Sequence, residues 1–224
     1  MEPYYQDDYV TIYHGDCREI IPQLGTFDLL MMDPPYGIGE DHKKQATRGG
    51  FTKFKDGKPL YVPAKDYGTS EWDYITIEQE LINTLIGMAK YSCMWGGNYY
   101  RVEPAKCWLV WDKENTGDFA DGELAWTNYP RAVRIKRHLW NGMLRKNNEP
   151  RVHPTQKPLE VITWAISLSP VCETILDPFA GSGTTGRAAK DLCKKCVLIE
   201  QEERWCEKAA LRMAQEVLPL GDCQ

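Results

Sequence analysis

Several familiar signatures are missing from this chain of 224 residues. There is no Gly-Lys-Ser/Thr, so a P-loop phosphate cradle is not present. No apolar run approaches the roughly 18 residues that a membrane-spanning helix requires. The opening stretch MEPYYQDDYV also lacks the basic-then-apolar order of a secretory leader. The expectation is therefore a cytoplasmic protein with no membrane partner. A basic excess is absent too: the net charge is −5, which excludes histone-like binding by bulk electrostatics but leaves room for a local patch. There are eight cysteines, yet Cys193-Lys194-Lys195-Cys196 is a lone CxxC without a second ligand pair at zinc spacing. In a cytoplasmic chain most of these cysteines read as small buried hydrophobes, and no metal is assigned.

What is present centres on Phe27 to Tyr36, FDLLMMDPPY. Phe27–Met32 has strand length and stops at Asp33-Pro34-Pro35-Tyr36. Two prolines cannot donate to a sheet ladder, and each biases its predecessor toward an extended conformation. The strand must end there, leaving a carboxylate, carbonyls and an aromatic ring at its C-terminal edge, where open α/β sheets bind ligands. Taken alone, the tetrapeptide also admits a plain proline turn as the lesser reading. A second stretch, Ile175-Leu176-Asp177-Pro178-Phe179-Ala180-Gly181-Ser182-Gly183-Thr184-Thr185, reads as strand, glycine turn and helix start. A further apolar run, Cys196–Ile199, ends in Glu200, 23 residues beyond Asp177. That is near the spacing at which a second-strand acid meets a ribose in nucleotide-binding βαβ units. An adenosine carrying no phosphates fits this combination.

Together these residues resemble the S-adenosylmethionine-dependent DNA amino-methyltransferases. DPPY matches the catalytic motif of that family and DPFAGSGTT its cofactor loop. The catalytic motif comes first, as in the circularly permuted beta class. His153-Pro154-Thr155-Gln156-Lys157-Pro158 matches another element of that class, and Gly15-Asp16-Cys17 looks like its adenine-contacting motif. Asp121–Thr127, DGELAWT, resembles a stretch of compact phage and prophage members. The resemblance covers nearly the whole chain and is weakest over residues 40–70. It implies a bacterial or phage-encoded enzyme with a Rossmann-like methyltransferase fold. That fold is a single domain over residues 1–224, with a mostly parallel seven-stranded sheet, one antiparallel edge strand and a permuted order.

The remaining chain supplies supporting elements. Val10–Tyr13 reads as a first strand, with Asp16 capping a helix Cys17–Leu24; Asp16 serves either as a plain cap or as an adenine contact as well. The catalytic strand follows at once, so these two strands are expected to be sheet neighbours through a right-handed crossover. Helices are expected over 76–90 and 159–168, with strands over 91–95 and 107–111 and an edge strand over 132–138. A C-terminal helix carries Cys206, Ala209, Ala210, Met213 and Val217 on one face. Residues 37–73 read as loop, and lysines including Lys53 and Lys55 are interleaved there with Phe51, Phe54 and Tyr61. A solvated loop and a DNA-contacting one stand level at this point. Between residues 131 and 151, seven basic residues, among them Arg134, Lys136, Arg137 and Arg145, face only Glu149. This stretch is the preferred DNA-backbone face. Segments 40–73 and 139–152 are thus the candidate recognition and active-site loops, with Asn141, Asn147 and Asn148 as base readers or turn formers.

The resemblance implies an assignment of roles. Asp33 and the Pro34 carbonyl accept hydrogen from an exocyclic amine, Pro35 stiffens the loop, and Tyr36 stacks on a flipped base. Asp177, Phe179, Ala180, Gly181, Gly183 and Thr184 cradle S-adenosylmethionine, with the product S-adenosylhomocysteine left behind. Glu200 holds its ribose, and Asp16 with Cys17 faces its adenine. Thr155 and Lys157 take its carboxylate by resemblance only, with a structural role at a helix start as the alternative. No cysteine follows a proline, so a cytosine-C5 nucleophile is missing. Aspartate rather than serine in DPPY leans toward adenine N6. Cytosine N4, RNA adenine and a catalytically silent nucleic-acid-binding subunit are the alternatives. DNA is the expected partner; a homodimer and a cognate restriction enzyme are left open.

Overall fold

The computed structural model describes residues 1–37, 50–55, 58–62, 76–114, 120–140, 152–153 and 155–215, with the backbone alone over 50–55 and 58–62. The first strands are β1 (Tyr5–Gln6), β2 (Val10–His14) and β3 (Phe27–Met32), with helix α1 (Cys17–Ile20) between the last two. A hairpin, β4 (Gly50–Lys55) and β5 (Lys58–Val62), is followed by α2 (Gln79–Gly87) and β6 (Ala89–Trp95). Then come β7 (Cys107–Asp112), β8 (Gly122–Thr127), β9 (Arg134–Arg137) and α3 (Leu159–Ser167). The chain continues with β10 (Thr174–Asp177), α4 (Thr184–Asp191), β11 (Lys195–Glu200) and α5 (Glu203–Met213).

Among the described residues the main sheet has nine strands, in the order β1-β2-β11-β10-β3-β6-β8-β7-β9. Seven strands with one antiparallel edge were expected, and both points need correcting. The two-residue β1 pairs antiparallel with β2 at one edge. The other reversed strand, β8, lies inside the sheet, antiparallel to both β6 and β7. β9 forms the opposite edge, parallel to β7, as its alternating sequence suggested. β4 and β5 form a separate antiparallel hairpin within the stretch read as loop.

β2 and β3 are not neighbours: β11 and β10 lie between them, β11 beside β2 and β10 beside β3. The first full strand of the chain and the last thus lie side by side. Parallel pairing aligns the C-terminal ends of β3, β10 and β11 on one edge. The glycine turn and Glu200 are therefore delivered beside Asp33.

Alternation along the strands feeds two cores. Leu29, Met31, Cys93, Trp95, Ile175 and Leu198 face α3, α4 and α5, where Ala188, Ala189, Cys206, Ala209 and Met213 are buried. Leu30, Met32, Met94, Leu176 and Ile199 face α1 and α2 with Ile20, Ile82 and Leu85. Period-2 strands against 3.6-period helices give this three-layer arrangement. Helices end earlier than expected where the backbone demands it. In α1, Pro22 lacks the N–H for another α-turn, and Ile21–Gln23 tighten into a 3-10 turn.

Candidate active site

β3 buries Leu29 to Met32 completely and then breaks at the two prolines. Tyr36 closes the tetrapeptide by an isolated bridge to Thr76, and its hydroxyl donates to Asp33 Oδ1 at 3.0 Å. Its ring stacks on Tyr99, with centroids 4.8 Å apart and planes 10° from parallel. Gly96, at φ +67°, packs against the same ring: a Cβ there would lie 2.3 Å from Tyr36 Cε1. The Tyr100 hydroxyl donates to the Pro35 carbonyl. These contacts hold the motif from the turn after β6.

After β10 the chain is pinned at both ends of its glycine turn. Phe179 N–H donates to Asp177 Oδ1 at 3.0 Å, and Ala180 N–H donates to the Ile199 carbonyl of β11 at 3.0 Å. Gly181, at φ +51°, donates its N–H to Glu200 Oε2 at 2.8 Å, while Glu202 N–H donates to Oε1 at 2.8 Å. Burial raises the Glu200 carboxyl above its ordinary range against those two amides, which favour the ionised form. Burial pushes Asp177 up to about 7, although the Thr185 hydroxyl and the Phe179 amide oppose it. Gly183, at φ +75°, caps α4 and lies against α5, where a Cβ would come within 2.8 Å of Ala209 Cβ. The close approach it permits on that side is that of a helix. Thr184 likewise turns to α5, accepting from Arg212 Nη1 at 3.1 Å.

One cleft of about 370 Å³ joins the two motifs. Its walls include Asp16, Cys17, Asp33, Pro35, Thr155, Lys157, Asp177, Phe179, Ala180, Gly181, Thr184 and Glu200, which bring together the DPPY, DPFAGSGTT, GDC and HPTQKP motifs. Pro34, Tyr36 and Gly183 are not among its lining residues. Asp16 caps α1 through Arg18 N–H at 2.9 Å and pairs with the Arg18 guanidinium at 2.5 Å, which holds its carboxyl low. Burial pushes the Cys17 thiol up to about 11.

Lys157 is 6% exposed, and its ammonium bonds Asp33 Oδ2 and lies 3.2 Å from Glu123 Oε2. Glu123 Oε1 is 2.7 Å from Lys113. Burial raises Asp33 and so does Glu123, while Lys157 and Tyr36 work against the rise. For Glu123, burial is outweighed by Lys157 and Lys113, which bring its carboxyl down to about 2.

Sequence reasoning missed Glu123, His153 and Trp205 as site residues. His153 lies edge-on to Trp205 at 4.2 Å, accepts from Thr155 N–H at 3.2 Å, and comes within 3.6 Å of where a Gly181 Cβ would sit. His153 belonged to a motif that was noticed, and Glu123 to the DGELAWT stretch. Neither stretch revealed that His153 lines the cleft or that Glu123 meets Lys157. On the basic edge, Lys136 pairs with Glu160 at 2.8 Å and Arg137 with Asp112 at 3.3 Å, while Arg134 Nη1 donates to the Val133 carbonyl at 3.1 Å. Arg145, Asn141, Asn147, Asn148 and the side chains of Lys53 and Lys55 lie outside the described residues. So do most of segments 40–73 and 139–152.

The N6/N4 family model described as DNA methylase matches residues 51–211. The Type II methyltransferase M.ScaI of Streptomyces caespitosus is 26% identical over 269 aligned positions, covering 98% of this chain and 86% of that protein. The Type II methyltransferase M2.LlaDCHI of Lactococcus lactis subsp. cremoris is 44% identical over 79 positions, 34% of this chain and 29% of that one. Among solved structures, the PvuII DNA methyltransferase, described as cytosine-N4-specific, aligns with TM-score 0.60 at 14% identity over 97% of this chain and 90% of its own. The M1.HpyAVI complex with S-adenosylmethionine aligns with TM-score 0.53 at 20% identity, covering 91% and 99%. At such identities these two structures speak for the fold alone.

Proposed function

The chain belongs to the N6/N4 DNA methylase family, and from that premise we propose that it methylates the exocyclic N6 amine of adenine in DNA with S-adenosylmethionine as donor. The observation carrying this reading is that the DPPY carboxylate and the glycine turn line one cleft, delivered by the adjacent parallel strands β3 and β10.

The cleft suits an adenosyl group. It holds Asp16 and Glu200 as acceptors for amine and hydroxyl hydrogens, and the buried indole N–H of Trp205 has no hydrogen-bond partner among the described residues. Glu200 would hold the ribose, Asp16 and Cys17 the adenine, and Phe179 to Gly181 the remainder. When bound, the donor supplies an electrophilic methyl on sulfur.

The protein's task is to make a poor nucleophile react. An aromatic amine delocalises its lone pair into the ring. Asp33 and the Pro34 carbonyl accept its hydrogens, favouring rehybridisation and stabilising the positive charge that grows on nitrogen as the new C–N bond forms. Asp33 can then take the surplus proton. Tyr36 offers the stacking face; Tyr99 covers it in this structure, so the flipped base replaces Tyr99 on that ring. Extrusion costs a few kcal/mol of unstacking and unpairing. Arg134, Lys136 and Arg137, with Lys53 and Lys55 of β4 and Arg145, would contact the DNA backbone.

Mass spectrometry of nucleosides from treated, unmethylated genomic DNA tests the assignment, with N6-methyladenine as the expected product. N4-methylcytosine without N6-methyladenine would move the reading to cytosine. A labelled methyl found only in RNA would move the substrate, and no transfer despite cofactor binding would leave a silent subunit.

A further inference from the structure

Lys157 is surrounded by acids that the sequence does not place near it. Asp33 is 124 residues away in the chain, and Glu123 approaches from the start of the reversed strand β8. The ammonium has Asp33 on one side, Glu123 on another and the Trp95 ring 5.4 Å away. A third anion at this buried cation would meet two carboxylates already in contact with it. A low local dielectric makes that repulsion large. The geometry is therefore ill suited to receiving the carboxylate of a methionine moiety, the role its motif implied.

We propose that Lys157 and Glu123 are positioning residues of the transfer step: Glu123, anchored by Lys113, fixes the Lys157 ammonium against Asp33 Oδ2 and so locks the accepting carboxylate between Lys157 and the Tyr36 hydroxyl. Asp33 keeps its remaining lone pairs for the amine, in one orientation set before substrate arrives. The inference rests on Asp33 being the acceptor. It adds that the acceptor is preorganised by a line of alternating charges: Asp33, Lys157, Glu123, Lys113.

Charges and titratable groups reach Asp33 from several elements. Lys157 comes from the segment before α3, Glu123 from β8, and Lys113 lies behind Glu123 at the end of β7. Tyr36 belongs to its own loop, Tyr99 and Tyr100 follow β6, Cys93 lies in β6, and Asp177 ends β10. Lys157 holds Asp33 down toward the ionised form, whereas Glu123 raises it. Removing one or the other should therefore move the acid limb of the turnover profile in opposite directions.

The test uses the full chain with Lys157→Met, Lys157→Arg and Glu123→Gln. Calorimetry gives S-adenosylmethionine affinity, and labelled-methyl transfer to unmethylated bacterial genomic DNA gives kcat against pH. Lys157→Met is expected to lower kcat on the order of 10²–10³-fold, the usual size for losing one preorganised partner of a developing charge. Its cofactor affinity should change by less than about threefold, and its acid limb should move to higher pH. Lys157→Arg should recover part of the loss, and Glu123→Gln should move the acid limb to lower pH. A tenfold or greater loss of cofactor affinity in Lys157→Met with saturated kcat intact would overturn the proposal in favour of a carboxylate-binding lysine. If Lys157→Met fails to fold, the charge-balanced pair Lys157→Met with Glu123→Gln carries the test: it should bind cofactor and turn over poorly, and wild-type kcat would overturn the proposal. An active Asp33→Ala would instead sink the acceptor assignment itself.

Discussion

Tyr36 lies flat against Tyr99, 4.8 Å between centroids, while Gly96 bears on the same ring from the backbone. The aromatic face at the end of DPPY is therefore set by the turn after β6 as much as by its own strand. Gly96→Ala puts a Cβ into the Tyr36 ring and forces an alanine to φ +67°. Turnover should fall at least tenfold with little change in cofactor affinity, as read by single-turnover kinetics beside calorimetry.

The two motifs should separate by mutation. Asp33→Ala should retain cofactor binding while losing about 10²–10³ in rate. Gly181→Val should lose cofactor first, because valine at φ +51° is strained and its side chain grows toward His153. Equal loss of cofactor affinity in both, measured by calorimetry, would show the roles misassigned.

Asp177 makes stability depend on pH. Its folded carboxyl is raised to about 7 from an ordinary 3.8. Between those values the folded chain keeps a proton that the unfolded chain has released. Stability from this group is thus full below about pH 4 and is lost as pH rises through 7. At about 1.4 kcal/mol per pH unit the span amounts to a few kcal/mol. Asp177→Asn should flatten the corresponding slope in thermal melts taken from pH 5 to 8 and leave the variant the more stable at the upper end.

Gly183→Ala should act on stability before chemistry. Its Cβ would meet Ala209 Cβ at 2.8 Å across the α4–α5 contact, at a backbone angle that alanine disfavours. A loss of about 1–3 kcal/mol is expected by denaturant titration. Cofactor affinity in the surviving folded fraction should be near normal.

How much of the fold and site was legible depends on whether local chemistry or long-range pairing decides the matter. The ends of β3 and β10 could be read because Pro34, Pro35 and Gly181 punctuate the chain wherever it goes, and Glu200 followed from the rhythm of strand, turn and helix. The neighbours of β3 could not be read so: β10 and β11, far along the chain, enter between it and β2. β8 was passed over because Gly122 and Glu123 open it with polar character and Leu124 is 38% exposed, which spoils its alternation. With β8 went Glu123, and with Glu123 the surroundings of Lys157. β1 is two residues long and pairs only because β2 is already there.

The reversal of β8 has its own consequence. Parallel strands deliver to the cleft only the residues beyond their C-terminal ends, so most of the site is loop. A strand running the other way brings its opening residues there instead, with Gly122 and Glu123 paired to β7. Glu123 thus enters from a sheet strand and not from a loop, and the buried lysine it restrains is tied to the sheet through one carboxylate.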